Sequence, residues 1–363
     1  MVHHVATTIH HVATATNHTP PLQPATNLMR LLCIRFSAIG DVAMTVPVVK
    51  ALAMARPDIH IIMVSRPFAK AFYEGLAPNV EFVGINLKDS RYKGINGLRH
   101  VYHDLRALKP DMVADLHDVL RTKYARLRFR VAGIPVSYID KNRAARKEIT
   151  RREDKILMQQ ATSFEKYKAV FSRLGLDFEI PEEAPLAPKE PPAGIPQKAV
   201  GIAPFAAHDG KIYPIDKMET VIRLLKKQHP DLSIYLFGGG SRDKAQFSTW
   251  QSMYDNVQYA GDFCRDMGDE LAVMKRMKCM VTMDSGNMHL ASLVGTPVVS
   301  IWGATHPFTG FMGWGQSETD IVQAELPCRP CSIYGNKPCL RGDYACLNSI
   351  KPEEIVGKVN KYL

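Results

Sequence analysis

The stretch Met283-Asp284-Ser285-Gly286-Asn287-Met288-His289-Leu290-Ala291 places a carboxylate, a hydroxyl, a glycine and an imidazole side by side. Apolar residues 279–283 precede it as a buried strand. A short helix should follow to Leu293 or Val294, where Gly295 caps it and Pro297 stops it. Free N–H groups at 285–288 would open that helix. With its dipole they make an anion site, and Gly286 lets a phosphate come close to the main chain. An ordinary turn capped by Asp284 or Ser285 fits the same residues. Other groups of the right type stand elsewhere. Asp41 ends the turn Ser37-Ala38-Ile39-Gly40-Asp41, either as a helix cap or as a carboxylate facing a cleft. Lys211 lies in loop 208–214, a cation that is either solvated or set for a phosphate. Gly239 and Gly240 leave backbone open to a ligand, and Asp243 beyond them could accept from ribose hydroxyls or cap a helix. Cys328, Cys331, Cys339 and Cys346 follow C-x2-C-x7-C-x6-C. The first pair has zinc spacing and the second is looser, so structural zinc and free thiols both stand.

Periodicity gives the elements that must hold these groups. Residues 31–36, 59–64, 80–85 and 112–116 read as strands, with one helix over 42–55. A second series runs through 199–204, 232–237, 279–283 and 298–302, with helices over 216–227 and 270–278. Alternating strands and helices predict an α/β chain with parallel sheets, so each turn named above falls at a strand's carboxyl end. The first turn lacks the Gly-x-Gly-x-x-Gly of a dinucleotide fold. Residues 181–196 hold six prolines without periodicity and read as a linker.

A chain of 363 residues, 46% hydrophobic and 23% charged, fits two soluble domains. No apolar run reaches the roughly 18 residues that a membrane-spanning helix needs. The amino-terminal residues lack a signal-peptide layout, which gives a cytoplasmic reading. Their histidines (His3, His4, His10, His11, His18) would suit a metal-binding tail; a disordered extension over 1–28, ahead of a start at Met29, is the preferred reading. Net charge is +10, and much of it is local: residues 121–155 carry twelve Lys or Arg against Asp140, Glu148, Glu153 and Asp154. Such a patch suits nucleic acid, an anionic membrane surface or a phosphorylated acceptor. Only Tyr124, Phe129 and Tyr138 interleave it, which argues against stacking on nucleic acid.

Longer strings carry a resemblance. Asp-Ser-Gly-x-Met-His-Leu-Ala (284–291), Gly-Thr-Pro-Val-Val (295–299) and Trp-Gly-Ala-Thr-His-Pro (302–307) resemble the nucleotide-sugar signature of the heptosyltransferases, glycosyltransferase family 9. Arg-Phe-Ser-Ala-Ile-Gly-Asp-Val-Ala-Met-Thr-x-Pro (35–47) resembles that family's amino-terminal motif. The resemblance implies a GT-B type fold, two Rossmann-like domains facing across a cleft. Residues 29–180 would hold the acceptor and 199–347 the donor, joined by a linker over 181–198, with a helix in 348–363 packing back on the first domain. It implies inverting transfer of a heptose or related sugar from a nucleoside diphosphate sugar, with ADP-heptose the expected donor, to an anionic lipopolysaccharide core acceptor. Peripheral contact with the inner membrane surface would follow, with no nucleic-acid partner.

By the same resemblance Asp41 takes the role of catalytic base. Lys211, shortly before an aromatic–Pro pair, takes the donor phosphates. Asp284, Ser285, Gly286, Asn287, Met288 and His289 become donor contacts; Gly239, Gly240 and Asp243 are set beside them by the analogy with dinucleotide folds given above, not by the resemblance. Ser37, Asp115, His117, Arg121, Arg143 and Arg146 fall on the acceptor side. Ala206 and Ala207 depart from the hydroxyl residues that some members carry. No Asp-x-Asp occurs, so the leaving diphosphate is expected to rely on Lys211 and main-chain N–H groups, with no cofactor required. Two alternatives stand beside this: the same scaffold with another nucleotide sugar, and a basic nucleic-acid-binding protein.

Overall fold

Aliphatic runs such as Ile59–Ser65 and Val298–Trp302 are buried along almost their whole length, the signature of parallel strands with helices on both faces. In the computed structural model, which describes residues 28–363, such strands build two sheets, every pairing parallel. The first contains β1 (Met29–Ile34), β2 (Ile59–Ser65), β3 (Val80–Gly84), β4 (Met112–Asp115) and β5 (Val136–Tyr138), in the order β3-β2-β1-β4-β5. The second contains β6 (Ala199–Ala203), β7 (Ser233–Leu236), β8 (Val257–Tyr259), β9 (Met280–Met283), β10 (Val298–Trp302) and β11 (Ile321–Gln323), in the order β11-β10-β9-β6-β7-β8. Both orders reverse direction beside their first strand. In open α/β sheets the crevice for a ligand opens there, at the carboxyl ends of the central strands. The turns after β1 and β4, and after β6 and β9, therefore occupy the positions that the topology sets aside for chemistry.

Helices cover each sheet through apolar faces. The helix Ile215–Gln228 buries Met218, Val221, Ile222 and Leu225, the spacing of one helical face. One core cluster covers the outer face of each sheet, while a third runs continuously from Leu31 and Val49 to Met280, Met288 and Trp302, joining the two lobes.

Two expectations change. Residues 42–55 form two helices, Ile39–Ala43 and Val46–Ala55. Pro47 has no N–H to give an unbroken helix and would clash with the carbonyl four residues back, so the chain restarts there. The final helix, Pro352–Val359, packs on Ile215–Gln228 of its own lobe: Ile355, Val356 and Val359 complete that lobe's core, and the Tyr213 hydroxyl donates to Ile350 O at 3.0 Å. The segment that does cross between lobes lies earlier and has no regular secondary structure. Lys155 Nζ donates to the carbonyls of Cys328 (2.8 Å) and Pro330 (3.0 Å), Gln160 N to Phe308 O (2.8 Å) and Ser163 N to Gly310 O (3.0 Å). Residues 181–196 carry no helix or strand and run along the seam, held by Leu186 N to Leu293 O and by Lys50 Nζ to Pro185 O. Of the amino-terminal extension expected over 1–28, residues 1–27 lie outside the described residues. Among the described residues no helix is long and apolar enough to cross a membrane.

Candidate active site

The turn after β1 meets the turn after β9. Their approach depends on two glycines: a Cβ on Gly40 would stand 2.6 Å from His289 Cδ2, and one on Gly286 would stand 2.5 Å from Ile39 Cγ2. The face of Gly286 that was expected to admit a phosphate is thus filled by the opposite lobe. Its backbone freedom serves lobe packing. Around this contact lies a cavity of about 240 Å³ lined by Gly40, Asp41, His208, Lys211, Asp284, Ser285, His289, Phe311 and Tyr334. Asp41, Lys211 and Asp284 come from three distant turns, and the fold brings them together here.

Asp41 Oδ2 accepts from Arg35 at 2.8 Å and from the Ala38 amide at 3.1 Å. Its Oδ1 has no protein partner among the described residues, so one oxygen is anchored and the other remains available. Burial alone would raise this carboxyl, but the Arg35 guanidinium, the Ala38 amide and His289 hold it below the usual carboxylate range. Arg35 is itself fixed by donation to Leu116 O at 2.7 Å. Its importance was missed from the sequence although it stands inside the 35–47 string; only its reach back to Asp41 shows it.

Lys211 Nζ lies 2.8 Å from Asp284 Oδ2, an ion pair whose angles do not make a hydrogen bond, so Asp284 Oδ2 stays unsatisfied. Neither Asp284 nor Ser285 caps the helix Gly286–Leu293 with its side chain. Ser285 Oγ and His289 Nδ1 are also buried without partners. Buried polar groups are nearly always paired, and unpaired ones gathered at a cavity mark a candidate functional site. Burial pushes the His289 imidazole down to about 4, so it is neutral at pH 7.

The remaining expected contacts divide. Ser37, His117 and Arg121 share a cavity of about 270 Å³ with Arg66 and Lys88, and the Arg121 guanidinium has a buried nitrogen without a partner. Burial, with Arg35 and Lys141 nearby, pushes His117 down to about 3. Asp115 does not face that cavity. It is wholly buried, accepts from the amides of His117 and Asp118 at 2.9 Å and pairs with Arg126 at 3.2 Å, which makes it a brace for the turn after β4. Arg143 points outward and approaches Asp118 only at 3.7 Å. Arg146 reaches the other lobe instead: it donates to the Tyr334 hydroxyl at 2.7 Å and lies over the Phe311 ring. Gly239, Gly240 and Asp243 lie apart from the Asp41 cavity, and the Asp243 carboxylate accepts from both glycine amides as a helix cap. Asn287 and Met288 belong to the first turn of the anchor helix, with Met288 wholly buried in the shared core.

Cys328, Cys331, Cys339 and Cys346 are free thiols, and among the described residues no three His, Cys, Asp or Glu side chains are placed to hold a metal ion. The thiols nevertheless lie near one another: burial, and then the neighbouring Cys331, Cys328 and Cys339, raise Cys346. Cys346 is committed to the second lobe's core, and Cys331 Sγ turns to Ala304 O at 3.8 Å. The loop has another use. Gly335 packs on the Lys211 side chain, and Tyr334 lines the Asp41 cavity.

Gly40→Ala tests the lobe contact. The new methyl must displace His289, so we expect roughly a tenfold fall in kcat together with a lowered melting temperature, since overpacking a buried contact costs about 1–3 kcal/mol. Turnover equal to that of the wild type would show that the glycine contact is incidental.

Two parallel sheets whose ligand edges oppose one another across a seam define the GT-B class of glycosyltransferase. Residues 99–338 match the profile described as Glycosyltransferase family 9 (heptosyltransferase), and the chain belongs to that family. It is 24% identical over 198 residues to lipooligosaccharide heptosyltransferase 2 of Campylobacter jejuni, a match covering 53% of this chain and 59% of that protein. Lipopolysaccharide heptosyltransferase 1 of Pseudomonas aeruginosa is 24% identical over 321 residues, 84% of this chain and 86% of that one. The chain thus spans only about three fifths of the first relative and most of the second. Among solved structures, E. coli heptosyltransferase WaaC with ADP superposes with a TM-score of 0.64 at 17% identity, over 92% of this chain and 100% of that one. A glycosyltransferase family 9 protein from Veillonella parvula gives 0.67 at 20%, over 93% and 98%.

Proposed function

We propose that the protein is an inverting glycosyltransferase moving a heptose, or a related sugar, from a nucleoside diphosphate sugar to an anionic saccharide acceptor of the lipopolysaccharide core. ADP-heptose is the donor that we assign. The observation that carries this reading is the cavity between the lobes in which a carboxylate from one lobe faces a lysine and a helix N-terminus from the other. Inversion needs one in-line displacement, with acceptor oxygen on one face of the anomeric carbon and diphosphate leaving from the other. The transition state resembles an oxocarbenium ion, so a weak base suffices. Asp41 Oδ1 takes the acceptor proton late, while Arg35 holds the other oxygen. Lys211 exchanges its Asp284 partner for the diphosphate, and the amides opening the helix Gly286–Leu293 share the charge. Asp284, released, orients donor hydroxyls. The cavity of Ser37, His117 and Arg121 receives the acceptor.

Product mass from a panel of nucleotide sugars tests the donor. Transfer of a sugar other than heptose would move the assignment to the same-fold alternative, and salt-sensitive binding to RNA without any transfer would favour a nucleic-acid protein. Because the chain has no Asp-x-Asp and offers Lys211 for the leaving group, the reaction should run without a divalent ion. Incubation with a chelator is expected to leave the rate unchanged. Loss of turnover restored by magnesium or manganese would refute this.

A further inference from the structure

Between Cys331 and Cys339 the cysteine cluster and the catalytic cavity share one loop. Its base is pinned to the end of β10, where the amides of Cys331 and Ser332 donate to Ala304 O at 3.0 and 3.2 Å. Its tip enters the site. The Tyr334 hydroxyl accepts from Arg146 of the other lobe at 2.7 Å, and Tyr334 lines the Asp41 cavity. Gly335 lies so close to Lys211 that a Cβ added there would stand 2.6 Å from Lys211 Cγ. Packing of that density passes a movement of the loop on to the Lys211 side chain. Both ends of the loop carry free, half-buried thiols. Residues 336–338 and 340–343, on either side of Cys339, are exposed and give a small oxidant access. The chain turns tightly after Cys339, with Gly342 N donating to Cys339 O at 3.1 Å. Burial acts against ionisation there, but the amides of Tyr344, Arg341, Gly342 and Asp343 hold the Cys339 thiol below its ordinary value. Burial, with Cys328 and Cys339 nearby, raises Cys331. An accessible thiol kept toward thiolate, with a second thiol close by, is the pairing of an oxidation-sensitive site.

We infer that Cys339 and Cys331 form a reversible oxidation site, and that a disulfide between them displaces the Tyr334–Gly335 tip and lowers the activity of the cavity it lines. A peroxide is the oxidant. The Cys339 thiolate attacks one peroxide oxygen, the O–O bond breaks, and the departing hydroxide takes a proton and leaves as water. The Cys331 thiol then attacks the oxidised sulfur. An S–S bond forms, the S–O bond breaks, and the hydroxide leaves with the Cys331 proton as a second water. Two thiols lose two electrons and the peroxide gains them. In the reduced chain Cys331 Sγ points to Ala304 O at 3.8 Å, so bridging turns it from that carbonyl and draws Cys339 toward the pinned base. Tyr334 and Gly335 lie between the two and move with them. The loss of activity rests on the donor role proposed for Lys211, whereas the oxidation rests on the cysteines alone.

Treatment of the full chain with hydrogen peroxide and then with dithiothreitol tests it. Thiols counted in denaturant should fall by two from seven on oxidation and return on reduction. Chymotryptic cleavage after Tyr334, between the two cysteines, should leave their peptides joined until the disulfide is reduced. Turnover should fall about tenfold on oxidation and recover with dithiothreitol. Cys339→Ser should match the wild type when reduced and ignore peroxide, while Cys328→Ser should respond as the wild type does. A chain that transfers sugar when reduced and keeps both its rate and its thiols after peroxide would overturn the inference. So would a joined pair of peptides with turnover unaltered, or a loss of activity that persists in Cys339→Ser. A metal ion retained in stoichiometric amount through chelation would overturn it too, because ligated thiolates are not free to pair. If the reduced chain transfers nothing, the proposed function fails, and the peptide map still decides whether the disulfide forms.

Discussion

Asp41→Asn should lower kcat by about a hundredfold or more while leaving the KM for the donor nearly unchanged, because a positioned base typically contributes that much and acts only in the transition state. Asparagine retains the shape and can still accept from the Ala38 amide and from Arg35 through its carbonyl oxygen. The lobe contact at Gly40 is not touched. What is lost is the charge on the free oxygen. A hundredfold loss corresponds to about 2.7 kcal/mol of transition-state stabilisation. Arg35 would lose its anionic partner in a largely buried place, which costs some stability, so turnover must be measured well below the variant's melting temperature. Because Arg35 and the Ala38 amide hold Asp41 below the usual carboxylate range, the base is ionised across neutral pH. Wild-type activity should therefore show no acid limb from this group until the pH falls below the ordinary aspartate range. Near wild-type kcat in Asp41→Asn would assign the base elsewhere.

Lys211→Ala carries the second large effect, an expected fall in kcat/KM of about a hundredfold from lost stabilisation of the leaving diphosphate. This residue differs from Asp41 in its ground-state partner. Removing it strands the Asp284 carboxylate, which is 3% exposed, without its cation. Breaking a buried pair from one side can cost about 3–5 kcal/mol, so the single variant confounds stability with catalysis. The double variant Lys211→Ala, Asp284→Asn separates them. It should melt closer to the wild type than the single variant does, while activity stays low. If the double variant regains turnover, Lys211 serves Asp284 and not the donor.

Acid should weaken the fold through the buried histidines. His289 titrates near pH 4 in the folded chain and near 6.5 when unfolded, so the unfolded state binds more protons between those values. Stability is then full above about pH 6.5 and declines as the pH falls toward 4, by up to about 3 kcal/mol from this group. Melting temperatures measured across that window check it. His289→Gln should flatten the slope, and an unchanged slope would mean that His289 binds its proton equally in the folded and unfolded chain.

Much of the fold was legible because strand and helix periodicity are local properties. Apolar runs marked the central strands and the turn residues marked the carboxyl edge of each sheet, while the spacing over 42–55 passed over the helix restart at Pro47. The site's members were equally visible by type, since Asp41, Lys211 and the 284–289 stretch each stand at a strand-to-helix turn. Their partners were not. Arg35 could be read as any strand-end cation, and Asp115 as readily as His117, because nothing local says which of two neighbouring side chains points into a cavity and which braces the turn.

The sequence by itself determined two parallel α/β lobes, the linker between them, and the short list of groups able to do chemistry. Each of those follows from interactions within a few residues. Tertiary structure alone decided that Gly40 and Gly286 serve the meeting of the lobes, that Arg146 reaches Tyr334 across 188 residues, and that the last helix stays on its own lobe. Those outcomes depend on which surfaces fill one another's space. That is settled only when distant segments compete for the same contact.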